Sequence, residues 1–348
     1  MSTSSLPVQF SERVSTARVL VTGAAGFVGI NLVQHLAKAG ADVIALTLEP
    51  AEEASHKFLT DAASRVTWCL GNVCDAGRLE AIISQHQPNY IIHAAALTGS
   101  PELERDNPHA MLEVNVTGSL NMLEACKHIQ PKRMIYVSSS GLYGARPPQP
   151  AANEDDKLAL TSLYAIGKHT SEMLWARYAS LYQLDAVSVR LGTVYGPMER
   201  PTGSRQRMSA LYNAVHASLE GQALKVDGVN IARDFCHVDD VANACVHLLF
   251  ADNLSYPCYN IAGAQAEPLQ VVLEALADAH KLHWDAITPS SVVSTEHADE
   301  DHIQLVQMPT QARASHNLSR IYSDTSWQPK YDLRAGSLAY AAWCKKQV

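Results

Sequence analysis

The sequence predicts an α/β protein: a doubly wound parallel sheet with a smaller C-terminal lobe interleaved with it. Three observations carry that prediction. Six short apolar runs recur between residues 18 and 191, namely RVLVT (18–22), DVIALT (42–47), RVTWCL (65–70), YIIHAA (90–95), RMIYVS (133–138) and DAVSVRL (185–191). Continuous apolar runs of this length suit strands covered on both faces, as in a parallel sheet. Between them lie stretches with helical spacing at 30–39, 110–128 and 164–182, and strand–helix alternation means right-handed βαβ units. Third, the first run is followed at once by three glycines, the start of a tight strand-to-helix turn.

In chain order, residues 1–17 read as a flexible N-terminal arm and 18–190 as the dinucleotide-binding, Rossmann-type domain. After Gly196 the texture changes. Pro197, Pro201, Gly203, Gly221 and Gly228 punctuate loops around one helix at 208–220. RDFCHVDDVANACVHLLF (233–250) reads as a short extended piece and a helix with Asp239 or Asp240 near its start, returning to the first domain. Residues 191–232 and 251–348 are then mainly a substrate-binding lobe, the last part being small helices and loops.

The 348 residues carry a formal net charge of -8 and no block of Lys or Arg, which speaks against a nucleic-acid or anionic-membrane surface. No apolar stretch approaches the ~20 residues that span a bilayer, and the first residues lack the pattern of a secretory signal. Seven cysteines without a CxxC pair fit a reducing compartment, so a cytoplasmic protein is expected. Of fifteen histidines, only His297 and His302 are grouped, in an acidic, turn-like segment that lacks a third ligand; no metal site is expected.

RVLVTGAAGFVGINL places Gly23, Gly26 and Gly29 after a strand and at the opening of a helix, the context a dinucleotide fingerprint demands. Gly23 permits the turn, Gly26 lets backbone approach a pyrophosphate, and Gly29 allows close helix–strand packing, with Phe27 and Val28 on the same turn. The second strand ends on Thr47 where a ribose-binding acid is expected. Glu49 follows two residues on, and the nearest downstream base is Lys57. This favours NAD and leaves NADP open. Asn72 and Val73 after the third strand, and Ala94, Ala95 and Ala96 after the fourth, are candidates for contact with the cofactor.

Tyr164 and Lys168 stand at i and i+4 at the start of a helix, on one face. A free phenol titrates near ~10. A neighbouring ammonium favours the phenolate, and such a pair can exchange a proton with an alcohol while hydride moves to or from a nicotinamide.

TGAAGFVG (22–29), HAAA (93–96), NVTGSLNMLEAC (115–126), VSSSGLYG (137–144), YAIGK (164–168), VRLGTVYGP (189–197), RDFCHVDDVA (233–242) and SWQPKYDL (326–333) occur in an order that resembles the extended short-chain dehydrogenase/reductases. The likeness is to their NAD-dependent sugar-nucleotide epimerases and dehydratases, the UDP-glucose 4-epimerase type among them. The resemblance implies a triad of Ser139, Tyr164 and Lys168, and cofactor contacts from Asn115 and Leu191. It also implies substrate contacts from Thr98, Ser139, Ser140, Thr193 and Arg233, with Arg233 on a diphosphate. Dehydratases of this kind carry Asp-Glu after the catalytic hydroxyl. Here Ser140 and Gly141 follow, neither of which titrates near neutrality, so reversible hydride transfer remains.

A 4-epimerase of a nucleotide sugar is the reading favoured by Arg233 and the full-length lobe. Thr193, where many such enzymes hold an asparagine, leaves open a dehydrogenase or reductase of a smaller sugar, sugar acid or ketone. A non-catalytic NAD(P)-binding regulator is the remote alternative. By analogy the chain is expected to pair as a homodimer through 110–128 and 164–182.

Overall fold

The computed structural model describes residues 8–203, 205, 208–287, 303–307 and 312–347. The six expected strands are present: β1 Arg18–Thr22, β2 Asp42–Thr47, β3 Val66–Leu70, β4 Tyr90–His93, β5 Arg133–Ser139 and β6 Ala186–Leu191. Beyond them come β7 Thr193–Tyr195, β8 Ala223–Asp227, β9 Ala232–His237 and β10 Cys258–Ile261. Then follow β11 Ala266–Pro268, β12 Trp284–Ile287 and β13 Ile303–Gln307.

The main sheet has seven parallel strands in the order β10-β6-β5-β4-β1-β2-β3. β1, β4 and β5 are buried along almost their whole length, which is why they read as unbroken apolar runs. The strand order reverses between β1 and β4, and in such sheets the crevice at the carboxyl ends of the strands at that reversal takes the ligand. The helices Phe27–Ala39 and Val238–Phe250 cover one face, joined to the core by Ile30, Val33, Val241 and Leu248. On the other face Leu79, Ile83, Met122, Leu123 and Trp175 pack from three further helices. A second cluster of Leu211, Val215, Leu224, Val226, Leu273 and Tyr340 forms the core of the smaller lobe. That lobe carries two three-stranded sheets, β11-β9-β7 and β12-β8-β13.

Two expectations need correction, and a third is refined. The described part of the N-terminal arm is ordered: Val8–Ser15 is a helix, and Val14 and Ala17 are fully buried in the main core. Its polar composition hid those two anchors. Residues 258–261 belong to the main sheet rather than to the lobe, with Tyr259 paired to Val189 in β6. A four-residue strand containing an asparagine is too short to announce itself by periodicity. The helix expected over 110–128 is present and runs without a break from Pro108 to Cys126, with one π turn at Glu113–Thr117 inside it. Such π segments mark places where the backbone is re-aimed, and Asn115 sits inside this one.

Among the described residues no helix is long and apolar enough to cross a membrane, and no cluster of three His, Cys, Asp or Glu side chains offers a metal site. His297 and His302 lie outside the described residues.

Candidate active site

The glycine turn is shaped by close approach. Gly23 has φ +65°, and a Cβ there would stand 2.8 Å from the Cα of Ala95. A Cβ on Gly29 would stand 2.0 Å from the carbonyl oxygen of Gly23, so only glycine lets the helix start this near the strand. Gly26 caps that helix in extended conformation, and its N–H donates to Gly23 O at 3.0 Å. The first-turn N–H groups beyond it therefore face outward, as an anion-binding helix start requires. Phe27 is buried and Val28 half-buried on this turn.

Where β4 ends, Ala95 N–H donates to the Thr22 hydroxyl at 3.1 Å, and that hydroxyl meets His93 Nδ1 at 2.8 Å. Burial and the Lys168 charge hold His93 neutral, lowered to about 3. The following loop is gripped by Asn115, whose amide accepts from Leu97 N–H and donates to Leu97 O, both at 3.0 Å. Ala94 and Ala96 are half-buried beside it, and Thr98 is exposed.

At the end of β2, Thr47 is buried and its carbonyl accepts from Gly71 N–H at 3.0 Å, while Glu49 is exposed. Asn72 uses its side-chain oxygen to hold Cys74 N–H at 3.0 Å, and Val73 is buried. The sequence shows no arginine beside Glu49, yet the fold brings one from the other lobe. Arg200 donates to Glu52 Oε2 at 3.0 Å, to Ser55 Oγ at 3.1 Å and to Ala25 O at 3.3 Å. Its fork is engaged by the protein, and two carboxylates, Glu49 and Glu52, share this edge.

Ser139 ends β5 in register with buried Leu191. Its Oγ accepts from Gly141 N–H at 3.0 Å, which leaves its proton to donate into the site. Tyr164 reaches the same hydroxyl from the helix Leu163–Tyr182, whose start is capped by Ser162 and by Glu104 Oε1 on Leu163 N–H at 3.1 Å. Lys168, one turn on, is only 2% exposed. Its Nζ donates to Val137 O at 2.7 Å and lies 5.9 Å from the Tyr164 ring centre. The site therefore brings Ser139, Tyr164 and Lys168 to the carboxyl ends of β5 and β4.

The electrostatics differ from the expected picture. Burial is the largest influence on the Tyr164 phenol and raises its pKa; the Ser139 hydrogen bond, Arg205 and Arg313 work against it. Burial also lowers Lys168 to about 7, with Glu172 pulling the other way. The lysine is thus a weakened cation near neutrality, and the arginines carry charge toward the phenol.

Glu172 sits one turn beyond Lys168 and is held by Arg190 at 2.9 and 2.7 Å. Arg190 also donates to Tyr143 Oη at 3.1 Å and to Glu154 O at 2.9 Å, and Tyr143 donates to Asn260 Oδ1 at 2.8 Å. One buried network thus ties the Lys168 helix, β6, the Ser139 turn and β10 together.

Of the expected substrate residues, Ser140 is buried at the start of the 3₁₀ turn, Thr193 is half-buried on β7 opposite Phe235, and Arg233 is buried on β9. Burial and the nearby Arg313 lower Arg233 to about 10. Arg200, Arg205, Arg313 and the Arg190–Glu172 pair were missed by sequence reasoning. Arg200, Arg205 and Arg313 come from loops, Arg190 from a strand and Glu172 from a helix, none with a local pattern that marks it. Only the YGP turn just before Arg200 hinted at a nearby site.

Residues 19–262 match the model of the NAD dependent epimerase/dehydratase family. The chain belongs to this family. It is 33% identical over 240 residues to a probable UDP-glucuronate 4-epimerase of Rhizobium meliloti, covering 66% of this chain and 67% of that protein. UDP-glucuronate 4-epimerase 3 of Arabidopsis thaliana is 28% identical over 350 residues, with 97% and 79% covered. The crystal structure of the Thermus thermophilus UDP-glucose 4-epimerase in complex with NAD superposes with a TM-score of 0.76 at 25% identity, covering 95% of this chain and 100% of that one. NAD is accordingly the family's cofactor, and the residues present fit it: without a Cβ at Gly23 and Gly29 the helix starts close against the strand, where its N-terminus can take a pyrophosphate.

Proposed function

We propose that the chain is an NAD-dependent 4-epimerase of a UDP-linked sugar. The observation that carries this reading is the convergence of Ser139, Tyr164 and Lys168 beside a residue, Gly141, that brings no titrating group. Family membership supports the nucleotide-sugar epimerase over the dehydrogenase or regulator alternatives.

NAD held at the glycine turn would supply a reversible hydride acceptor. Tyr164 takes the proton of the 4-hydroxyl oxygen and later returns it. Ser139 donates a hydrogen bond to that same oxygen, its own lone pair already engaged by Gly141 N–H. Lys168 is fixed to Val137 O and is placed to meet the nicotinamide ribose. Asn115 fixes the loop after β4 through Leu97. With no second acid or base after Ser139, elimination of water from the sugar has no promoter, so the sugar is released with only its configuration changed.

The same reading extends to assembly and location. Leu112, Ile166, Met173 and Leu181 are exposed apolar side chains on the helices expected to pair, and a second copy of the chain is the occupant we assign to that face. All seven cysteines are free thiols, in keeping with a cytoplasmic site of action.

The test is to follow UDP-glucose and UDP-glucuronate by proton NMR with the purified protein. Epimer formation without net NADH supports the proposal, and Tyr164→Phe should slow it by about 10²–10⁴-fold. Stoichiometric NADH with no epimer would replace it by the dehydrogenase.

A further inference from the structure

Arg313 lies on the segment that follows β13, and the fold holds this segment firmly. Arg313 N–H donates to Ala232 O at 3.1 Å, and Arg146 N–H to Ala312 O at 3.2 Å. Ala314, Ser315 and His316 are buried, with Ser315 bonded to Pro148 O and His316 bonded twice to Asp234, each contact at 2.9 Å. From this seat the guanidinium faces the Ser139 turn. A Cβ on Gly141 would stand 3.1 Å from Ser139 Oγ and 3.9 Å from both terminal nitrogens of Arg313. Any side chain at position 141 would therefore stand between the arginine and the reacting hydroxyls. Glycine leaves that passage open.

The charge of Arg313 is felt at the reaction centre: it lowers the pKa of the Tyr164 phenol, and the phenol acts back on the arginine. Arg233, the residue expected on a diphosphate, lies near enough for the Arg313 charge to act on it, and two other cations near the site are occupied. Arg205 is ion-paired with Glu199, which also accepts from Ser209 N–H and Oγ, and Lys168 is bonded to Val137 O. Among the described residues, no carboxylate ion-pairs with Arg313. A half-buried guanidinium without an ion-pair partner among the described residues is costly, and its planar fork matches a carboxylate bidentately.

Resting on the 4-epimerase reading, we propose that Arg313, through the gap left by Gly141, binds a carboxylate on the sugar carbon next to the one presented to Ser139 and Tyr164, so that the substrate is a nucleotide-linked uronic acid. A diphosphate is the other anion such a substrate carries. Arg233, close beside Arg313, is the residue expected on that diphosphate, which leaves the carboxylate to Arg313. Arg313 is then a residue that determines specificity, and Gly141 serves it by having no side chain.

The experiment compares UDP-glucuronate, UDP-glucose and UDP on the NAD-loaded protein, by kcat/KM and by calorimetric Kd, for wild type, Arg313→Met and Arg313→Lys. The wild type should prefer the uronate. Arg313→Met should collapse the ratio of UDP-glucuronate to UDP-glucose by about a hundredfold, the scale of a desolvated charge pair broken on one side. Arg313→Lys should retain part of the preference, and UDP affinity reports that each variant is folded. Equal losses on all three ligands would assign the arginine to the diphosphate and overturn the proposal, as would a wild type without uronate preference. Should neither sugar be epimerised, the 4-epimerase reading fails, while the Kd ratio still decides the role of Arg313.

Discussion

Behind the sheet, Arg190 and Glu172 meet in a bidentate pair and share their remaining capacity with Tyr143 and Glu154. Arg133 likewise donates to Asp185 and to the carbonyls of Leu248 and Ala251. At the carboxyl end of the same sheet the pattern reverses. Lys168 has one carbonyl partner, and among the described residues no carboxylate ion-pairs with Arg313. Buried charge is costly in either place. In the scaffold it is matched within the chain, and at the site the match is left to what binds. The difference separates residues that hold the fold from residues that wait for a ligand.

Breaking a matched pair should therefore have the largest effect on stability. Glu172→Gln leaves the Arg190 guanidinium buried beside a neutral amide and should cost about 3–5 kcal/mol, read as a lower urea midpoint at unchanged slope. A midpoint that does not move would show that the pair holds nothing. Removing an unmatched charge should act in the opposite direction and depend on pH. The folded pKa of Lys168 is depressed to about 7, below its value of about 10.4 in an unfolded chain. Between these values the unfolded chain binds one proton more, so wild-type stability rises with pH by up to about 1.4 kcal/mol per unit. Lys168→Met lacks that rise. It should be the more stable protein at pH 7, and its advantage should shrink as pH approaches 10; a constant difference would show that the lysine is not desolvated as described.

Much of the sheet was legible because strands buried on both faces print unbroken apolar runs, and the glycine turn because a Cβ at Gly29 would strike Gly23. The Tyr164–Lys168 pair was legible from its i, i+4 spacing together with the glycine loop and the serine-bearing strand end that precede it. β10 was not, since four residues carry no period, and neither was the π turn, which depends on Asn115 O accepting from Ser171 at 2.7 Å across to another helix. Arg200 and Arg313 were invisible for a different reason. Each reaches the site from the second lobe across more than a hundred residues of sequence, and a lone arginine in a loop has no local pattern that distinguishes it. The lowered pKa expected for Tyr164 failed because burial, which a sequence does not display, outweighs the neighbouring cations.

In the proposed reaction the hydrogen at the reacting carbon leaves and returns within the site, and Tyr164 handles only the oxygen's proton. Epimerisation of the UDP-sugar in deuterium oxide tests this directly, with the product examined by proton NMR. The expected epimer keeps its protium at C4. Deuterium at C4 would mean that a side chain removes that hydrogen as a proton, and would contradict the return of hydride from the cofactor.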